Sequence, residues 1–217
     1  MRILDLGLAF AVPVLLIAQT PVSTSQGSSL APANSTTEPA ETSNSQPSAY
    51  PPLTAEQKAA RRIRRLVEPV SLVSSAFGAG IDQWRNVPRE WGQGVEGYAR
   101  RFGSAEGYNA SDAVIGLGFD VAFHLDPRYH RKPDARIGGR VWNAVSQTFL
   151  AYKDSGGRTI NVSEIGGNFG AGFVANTWEP RGYNSTGDAL TRGALGLTYH
   201  TAKNVVRELF PGLASKH

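Results

Sequence analysis

Apolar residues recur every three or four positions along most of the chain beyond residue 53, which is the spacing of one face of an α-helix. Thr54 before Ala55-Glu56-Gln57-Lys58 reads as an N-cap, and the helix it opens is predicted to run to about Val67, where Pro69 stops it. A second helix is predicted over Val70–Asn86, carrying Leu72, Val73, Ala76, Phe77, Gly80, Ile81 and Trp84. Pro88 then sits where a first-turn proline belongs and opens a third helix through Trp91, Val95, Tyr98 and Phe102. A fourth spans Ala110–His124, with Asp112 and Asp120 inside an apolar run, and Pro127 ends it. Ile137–Tyr152 forms a fifth helix, and Asp154-Ser155-Gly156-Gly157 a turn. Ser163 caps a sixth, which ends before Pro180, and a last pattern runs from Leu190 to Phe210, closed by Pro211-Gly212. No sustained two-residue alternation occurs, so strands are not expected. The fold class is all-α, a compact bundle of six or seven Gly-rich helices.

Glycine inside helices lowers their propensity at each site, so its abundance needs a reason. Phe-Gly-Ala-Gly occurs at Phe77–Gly80 and again at Phe169–Gly172, and each copy is followed by Pro-Arg, Pro88-Arg89 and Pro180-Arg181. The same offset aligns Arg100 with Arg192, Ala110 with Ala202 and Val114 with Val206, which suggests an internal duplication with units near 70–114 and 162–206. Small residues four apart line up on one helix face and let two backbones approach closely. Gly78, Gly80, Gly166, Gly170 and Gly172 are therefore the expected helix-packing positions, within the core or between subunits of a homo-oligomer. The longest uncharged stretches of this part, Pro69–Ile81 and Ile165–Trp178, fall short of the roughly 18 residues a membrane span needs.

The first residues follow a different pattern. Arg2 and then an apolar run from Leu6 to Ala18 read as a signal peptide spanning 1–18, with cleavage between Ala18 and Ser25. Residues 19–52 are rich in Ser, Thr, Pro, Ala, Asn and Gln and have the composition of a disordered spacer. The helical domain is then 53–217, with 21 Lys+Arg against 15 Asp+Glu. That surplus favours anionic partners, and for an exported chain these are anionic lipid or envelope polymer, not nucleic acid. Cysteine is absent, so neither disulfides nor a lipid on an N-terminal Cys can hold the chain.

Two places hold candidate chemistry. Arg61, Arg62, Arg64 and Arg65 cluster in the second half of the first helix and are the expected contact with an anionic surface. His124, Asp126 and His130 fall in the densest polar segment and are the metal-ligand candidates, although Arg128 and Arg131 beside them would repel a cation. The better reading of that turn has Asp126 capping it, Pro127 starting a short helix, and the arginines paired with acids. No G-x-S-x-G, phosphate loop or cysteine nucleophile occurs, so neither catalytic residues nor a cofactor are expected. Ser75–Gly80, Glu90-Trp91-Gly92-Gln93-Gly94, His124–Tyr129 and Asp154–Gly157 resemble segments of a group of uncharacterised exported proteins from soil bacteria of the acidobacterial type. The similarity covers most of Pro69 to Phe210 and implies an exported bacterial protein, without implying a reaction. The expectation is an envelope-associated binding or structural protein in the periplasm or secreted. Its alternatives are a metal-dependent hydrolase using the His124/Asp126/His130 turn and an integral membrane protein with short Gly-faced helices.

Overall fold

The computed structural model describes residues 51–210. The expected signal peptide, nearly all of the spacer and the closing Pro211-Gly212 lie outside the described residues. Helix α1 (Ala55–Leu66) begins at a capping box in which Thr54 Oγ1 accepts from the Gln57 amide at 3.2 Å and Gln57 Oε1 accepts from the Thr54 amide at 3.0 Å. Pro69 does not merely stop α1. It occupies the first turn of α2 (Pro69–Arg85), where its missing N–H is no loss. Asn86 closes α2 in the left-handed conformation (φ 54°), its amide reaching the carbonyls of Asp82 and Gln83.

The sequence predicts a helix from Pro88, but Pro88 leads only into a single 3-10 turn, Arg89–Trp91. Arg101 organises this connection. Its guanidinium donates to the carbonyls of Val87 (2.7 Å), Pro88 (2.8 Å) and Gly92 (2.9 Å) and to Gln83 Oε1 (2.6 Å). Gly92 takes φ 67°, and a Cβ on Gly97 would strike the Gly92 carbonyl. The predicted third and fourth helices are then one, α3 (Gly94–Ala122). Between the two predicted helices, Gly107 lies against the Trp178 ring and Ser104 accepts from Trp178 Nε1 at 3.0 Å. Tertiary contacts carry the helix across a stretch of low propensity.

Helix α4 (Ile137–Phe149) ends three residues before its predicted end, because the chain turns into a strand. Strands β1 (Leu125–Asp126), β2 (Leu150–Lys153) and β3 (Arg158–Ile160) form a small antiparallel sheet in the order β1-β2-β3, with Asp126 opposite Tyr152 and Ala151 opposite Thr159. The predicted glycine turn joins β2 to β3, with Gly156 and Gly157 both at positive φ. The segments are too short for periodicity to reveal them. Asn161, not Ser163, caps α5 (Val162–Ala175) by accepting from the Glu164 amide, and Ser185 caps α6 (Thr186–Leu209). The architecture remains all-α, with the sheet as a minor addition.

Helix α5 packs between α3 and α6, and α2 lies along α3. A Cβ on Gly166 would enter the Phe119 ring, one on Gly170 would press on Ile115, and one on Gly172 would strike the Ala189 carbonyl. From the α6 side, Gly193 lies against Phe169 and Gly196 against Asn168 and Tyr108. Gly78 and Gly80 are different: a Cβ on either would meet nothing within 4 Å, which corrects the expectation of a close crossing there. The two Phe-Gly-Ala-Gly copies thus share sequence but not surroundings. Phe77 is 70% exposed, whereas Phe169 packs on Gly193.

Buried apolar side chains are few and mostly alanine: Ala79, Ala113, Ala144, Ala151, Ala171, Ala175 and Ala189, with Leu125 and Leu197. Alongside them the interior holds Lys58, Arg62, Arg101, Asp112, Asp120, Asp126, Glu164, Asn168 and Glu208. Buried charge at this density persists only when it is paired and hydrogen-bonded.

Candidate functional site

The four arginines of α1 do not act as one surface. Helix geometry separates them, and only Arg61 and Arg64 are exposed. Arg62 is buried, its Nε donating to Asp120 Oδ2 at 2.8 Å and its Nη2 to Ser163 Oγ at 3.1 Å, and its head fills the space a Cβ on Gly116 would need. Lys58, one turn earlier, is also buried and reaches Asp154 Oδ2 (2.6 Å) and the Asp120 carbonyl (3.2 Å). Two inward cations therefore dock α1 onto α3 and the sheet hairpin. Arg62 is corrected from surface contact to structural ion pair. Arg65 is half-buried and donates to the Pro127 carbonyl.

Below Arg62 lies a second charged group that the sequence reading missed. His200 Nδ1 contacts Glu164 Oε1, and its Nε2 lies 3.9 Å from Asp112 Oδ2. Burial by itself would raise Glu164, but His200 and then Arg62 overcome it and hold the carboxyl well below the usual range. Burial and the neighbouring Glu164 charge push Asp112 up to about 6. His200 is raised in turn, since the two carboxylates outweigh its burial. The Ser163 hydroxyl accepts from Arg62 and donates to Asn161 Oδ1. The cluster stores charge, with His200 set between Glu164 and Asp112.

The turn at 124–131 is likewise committed. Asp126 Oδ1 accepts from the Arg128 amide (2.9 Å) and Nε (2.8 Å), and its Oδ2 lies 2.7 Å from Arg128 Nη2 and 3.4 Å from His130 Nε2. Burial opposes ionisation, and the His130 and Arg128 hydrogen bonds reverse that effect, lowering Asp126 strongly. Asp126 caps the turn as expected, but no helix follows Pro127. Glu208 of α6, fully buried, accepts from Tyr129 Oη at 2.6 Å and from the Lys132 amide at 2.9 Å, fixing the rest of the segment. His124 is exposed at the start of β1, and among the described residues no group of three or more His, Asp or Glu could hold a metal ion. That corrects the convergence of His124, Asp126 and His130.

What the interior lacks in large apolar side chains the surface carries. On α2 the exposed residues Val70 (57%), Val73 (68%), Phe77 (70%), Ile81 and Trp84 (86%) follow at intervals of three and four, so all five fall on one narrow stripe. Val67 and Ile63, also exposed, precede it at the end of α1, next to exposed Arg61 and Arg64. The opposite face of α2 holds buried Ala79. Between them, Ser71, Ser74, Gly78 and Asp82 line a groove of about 460 Å³ shared with α3, Ala175 and α6, which is why a side chain at Gly78 would meet open space. No helix among the described residues is long and apolar enough to cross a membrane.

Comparison with known protein families, curated proteins and solved structures finds no match to this chain.

Proposed function

We propose that this protein is a peripheral membrane-surface protein of the bacterial envelope, exported and acting by binding, which lays the outward face of α2 into an anionic lipid surface. The observation that carries the reading is the single apolar stripe from Val70 to Trp84, with Arg61, Arg64, Arg85 and Arg89 exposed around its two ends. An amphipathic helix of this kind lies in the interface plane, with its apolar face below the headgroups and its basic residues among them. Magnitudes decide which part dominates. Burying Phe77 and Trp84 alone stabilises by about 3–6 kcal/mol, whereas each arginine near an anionic surface adds about 1 kcal/mol. The stripe supplies affinity, and the arginines supply preference for anionic lipid and sensitivity to salt.

Co-sedimentation of the full chain with phosphatidylglycerol and phosphatidylcholine vesicles tests this. Binding should favour phosphatidylglycerol and weaken as salt rises, and the Trp emission should shift to the blue. Phe77→Ser with Trp84→Ser should lower vesicle affinity by on the order of a hundredfold. Unchanged partitioning of that variant would overturn the reading. So would stripe-dependent dimers in solution with no vesicle binding, which would assign the stripe to a second copy of the chain.

A further inference from the structure

A small cavity of about 60 Å³ opens between the C-terminal half of α1, the β1–β2 edge, the start of α5 and the second half of α6. Arg65, Arg128, Lys203 and Arg207 line it, together with Asn161 and Asn204, whose side-chain amides donate to the Gln147 carbonyl and to Thr148 Oγ1. Arg128 is matched by Asp126. Lys203 and Arg207 share one carboxylate, Glu68, at 3.3 and 3.8 Å. Among the described residues Arg65 forms no ion pair; it donates to the Pro127 carbonyl, and its charge helps to hold Glu164 low. Lys203 and Arg207 thus share one acid, while the two carboxylates that line the cavity, Asp126 and Glu164, are engaged by Arg128 and His200. Going deeper, Glu164 and Asp112 are engaged by His200, and Asp120 by Arg62. Counting all of these groups as ionised, Arg62, Arg65, His200, Lys203 and Arg207 stand against Glu68, Asp112, Asp120 and Glu164, so positive charge remains in excess.

That excess is expensive where it sits, because Lys203 and Arg207 are largely withdrawn from water. Burial and then the neighbouring Arg207, with Arg65, depress Lys203, while burial and then Arg65 depress Arg207. The Lys203 and Arg207 side chains keep 17% and 25% exposure, so the cavity is not sealed. It has room for several waters or one tetrahedral oxyanion. We infer that the cavity bordered by Arg65, Lys203 and Arg207 is a phosphate-binding site, taking the phosphate of a lipid headgroup or free inorganic phosphate. Guanidinium and ammonium donors gathered around a cavity of this size are the chemistry that recognises such a group. The lipid arm rests on the membrane reading above, since Glu68 joins this cavity to the start of the apolar stripe. The free-phosphate arm does not.

Calorimetric titration of the full chain with inorganic phosphate, at constant ionic strength set with chloride, is the direct test. Wild type should bind one equivalent. Arg65→Gln and Lys203→Gln should each weaken binding by about tenfold or more, with Arg65→Lys partly restoring it. Circular dichroism of each variant establishes that it is folded. Phosphate should also compete with phosphatidic acid vesicles if a headgroup enters the cavity; phosphate binding without competition assigns the site to free phosphate. The stripe variant should lose vesicles and keep phosphate, so failure of the membrane reading is read separately. Wild type that binds neither phosphate nor phosphatidic acid, or folded Arg65→Gln and Lys203→Gln variants that bind phosphate as wild type does, would overturn the inference.

Discussion

Arg62 and Asp120, 58 residues apart in the chain, form an ion pair at 2.7 Å with side-chain exposures of 4% and 0%. The pair fixes α1 to the far end of α3, and Ser163 on α5 receives the remaining Nη2 hydrogen bond. A guanidinium taken this far out of water is stable only because its partner, its hydrogen bonds and the room left by the missing side chain of Gly116 are all present together.

Arg62→Gln should therefore destabilise the fold by about 3–5 kcal/mol, since it leaves the Asp120 carboxylate buried and uncompensated. Arg64→Gln on the exposed side should stay within about 0.5 kcal/mol of wild type. Urea unfolding followed by circular dichroism compares them. Equal effects would mean that α1 is not docked through Arg62.

The glycines divide in the same way. Gly172→Ala places a Cβ against the Ala189 carbonyl and should destabilise by about 1–3 kcal/mol, because backbone cannot move aside cheaply. Gly78→Ala meets nothing within 4 Å and should stabilise α2 by up to about 1 kcal/mol through helix propensity. Thermal unfolding of the two variants should shift in opposite directions.

Asp112 gives the fold a pH dependence with a definite sign. Its folded value is pushed up to about 6, against an unfolded value of about 3.9, so between these the folded state holds more protons. The Asp112 contribution to stability then falls as pH rises through that window and is flat above it. Glu164, held low, acts oppositely: its contribution is present above its unfolded value and is lost as pH falls. Asp112→Asn removes the Asp112 titration itself. Compared with wild type by denaturant midpoint, the variant should gain relative stability between about pH 4 and pH 6.5. No relative change across that range would show that Asp112 does not titrate there.

Glu208→Gln tests the clamp on the 127–132 segment. The amide would still accept from Tyr129 or Lys132, but could not match the carboxylate at both, and a loss of about 1–3 kcal/mol is expected. Faster amide exchange should be confined first to the segment around Lys132 and to the end of α6.

Much of the helical layout is legible in the chain. Thr54 with Gln57, the proline at 69 and the glycine turn after Asp154 each act through atoms a few residues apart, so local physics is enough to place them. Joining two predicted helices into α3 was not legible, because Trp178 and Glu179, more than seventy residues away, support the Ser104–Gly107 stretch. The strands escaped for a related reason. Leu150–Lys153 continues the helical apolar pattern of α4, and only pairing with β1 and β3 turns it into a strand.

The charged positions show the same boundary. The sequence by itself determined that four arginines crowd the end of α1 and that α2 repeats an apolar residue every three or four positions, since both follow from helical periodicity. Which arginines face water, and that the α2 stripe faces outward, was decided by tertiary structure. Periodicity fixes which residues share a face, but not what lies opposite that face. Asp120, Glu164 and Asp112 draw cations into the bundle, alanines and glycines fill the remaining interior, and the large apolar side chains of α2 are left on the surface.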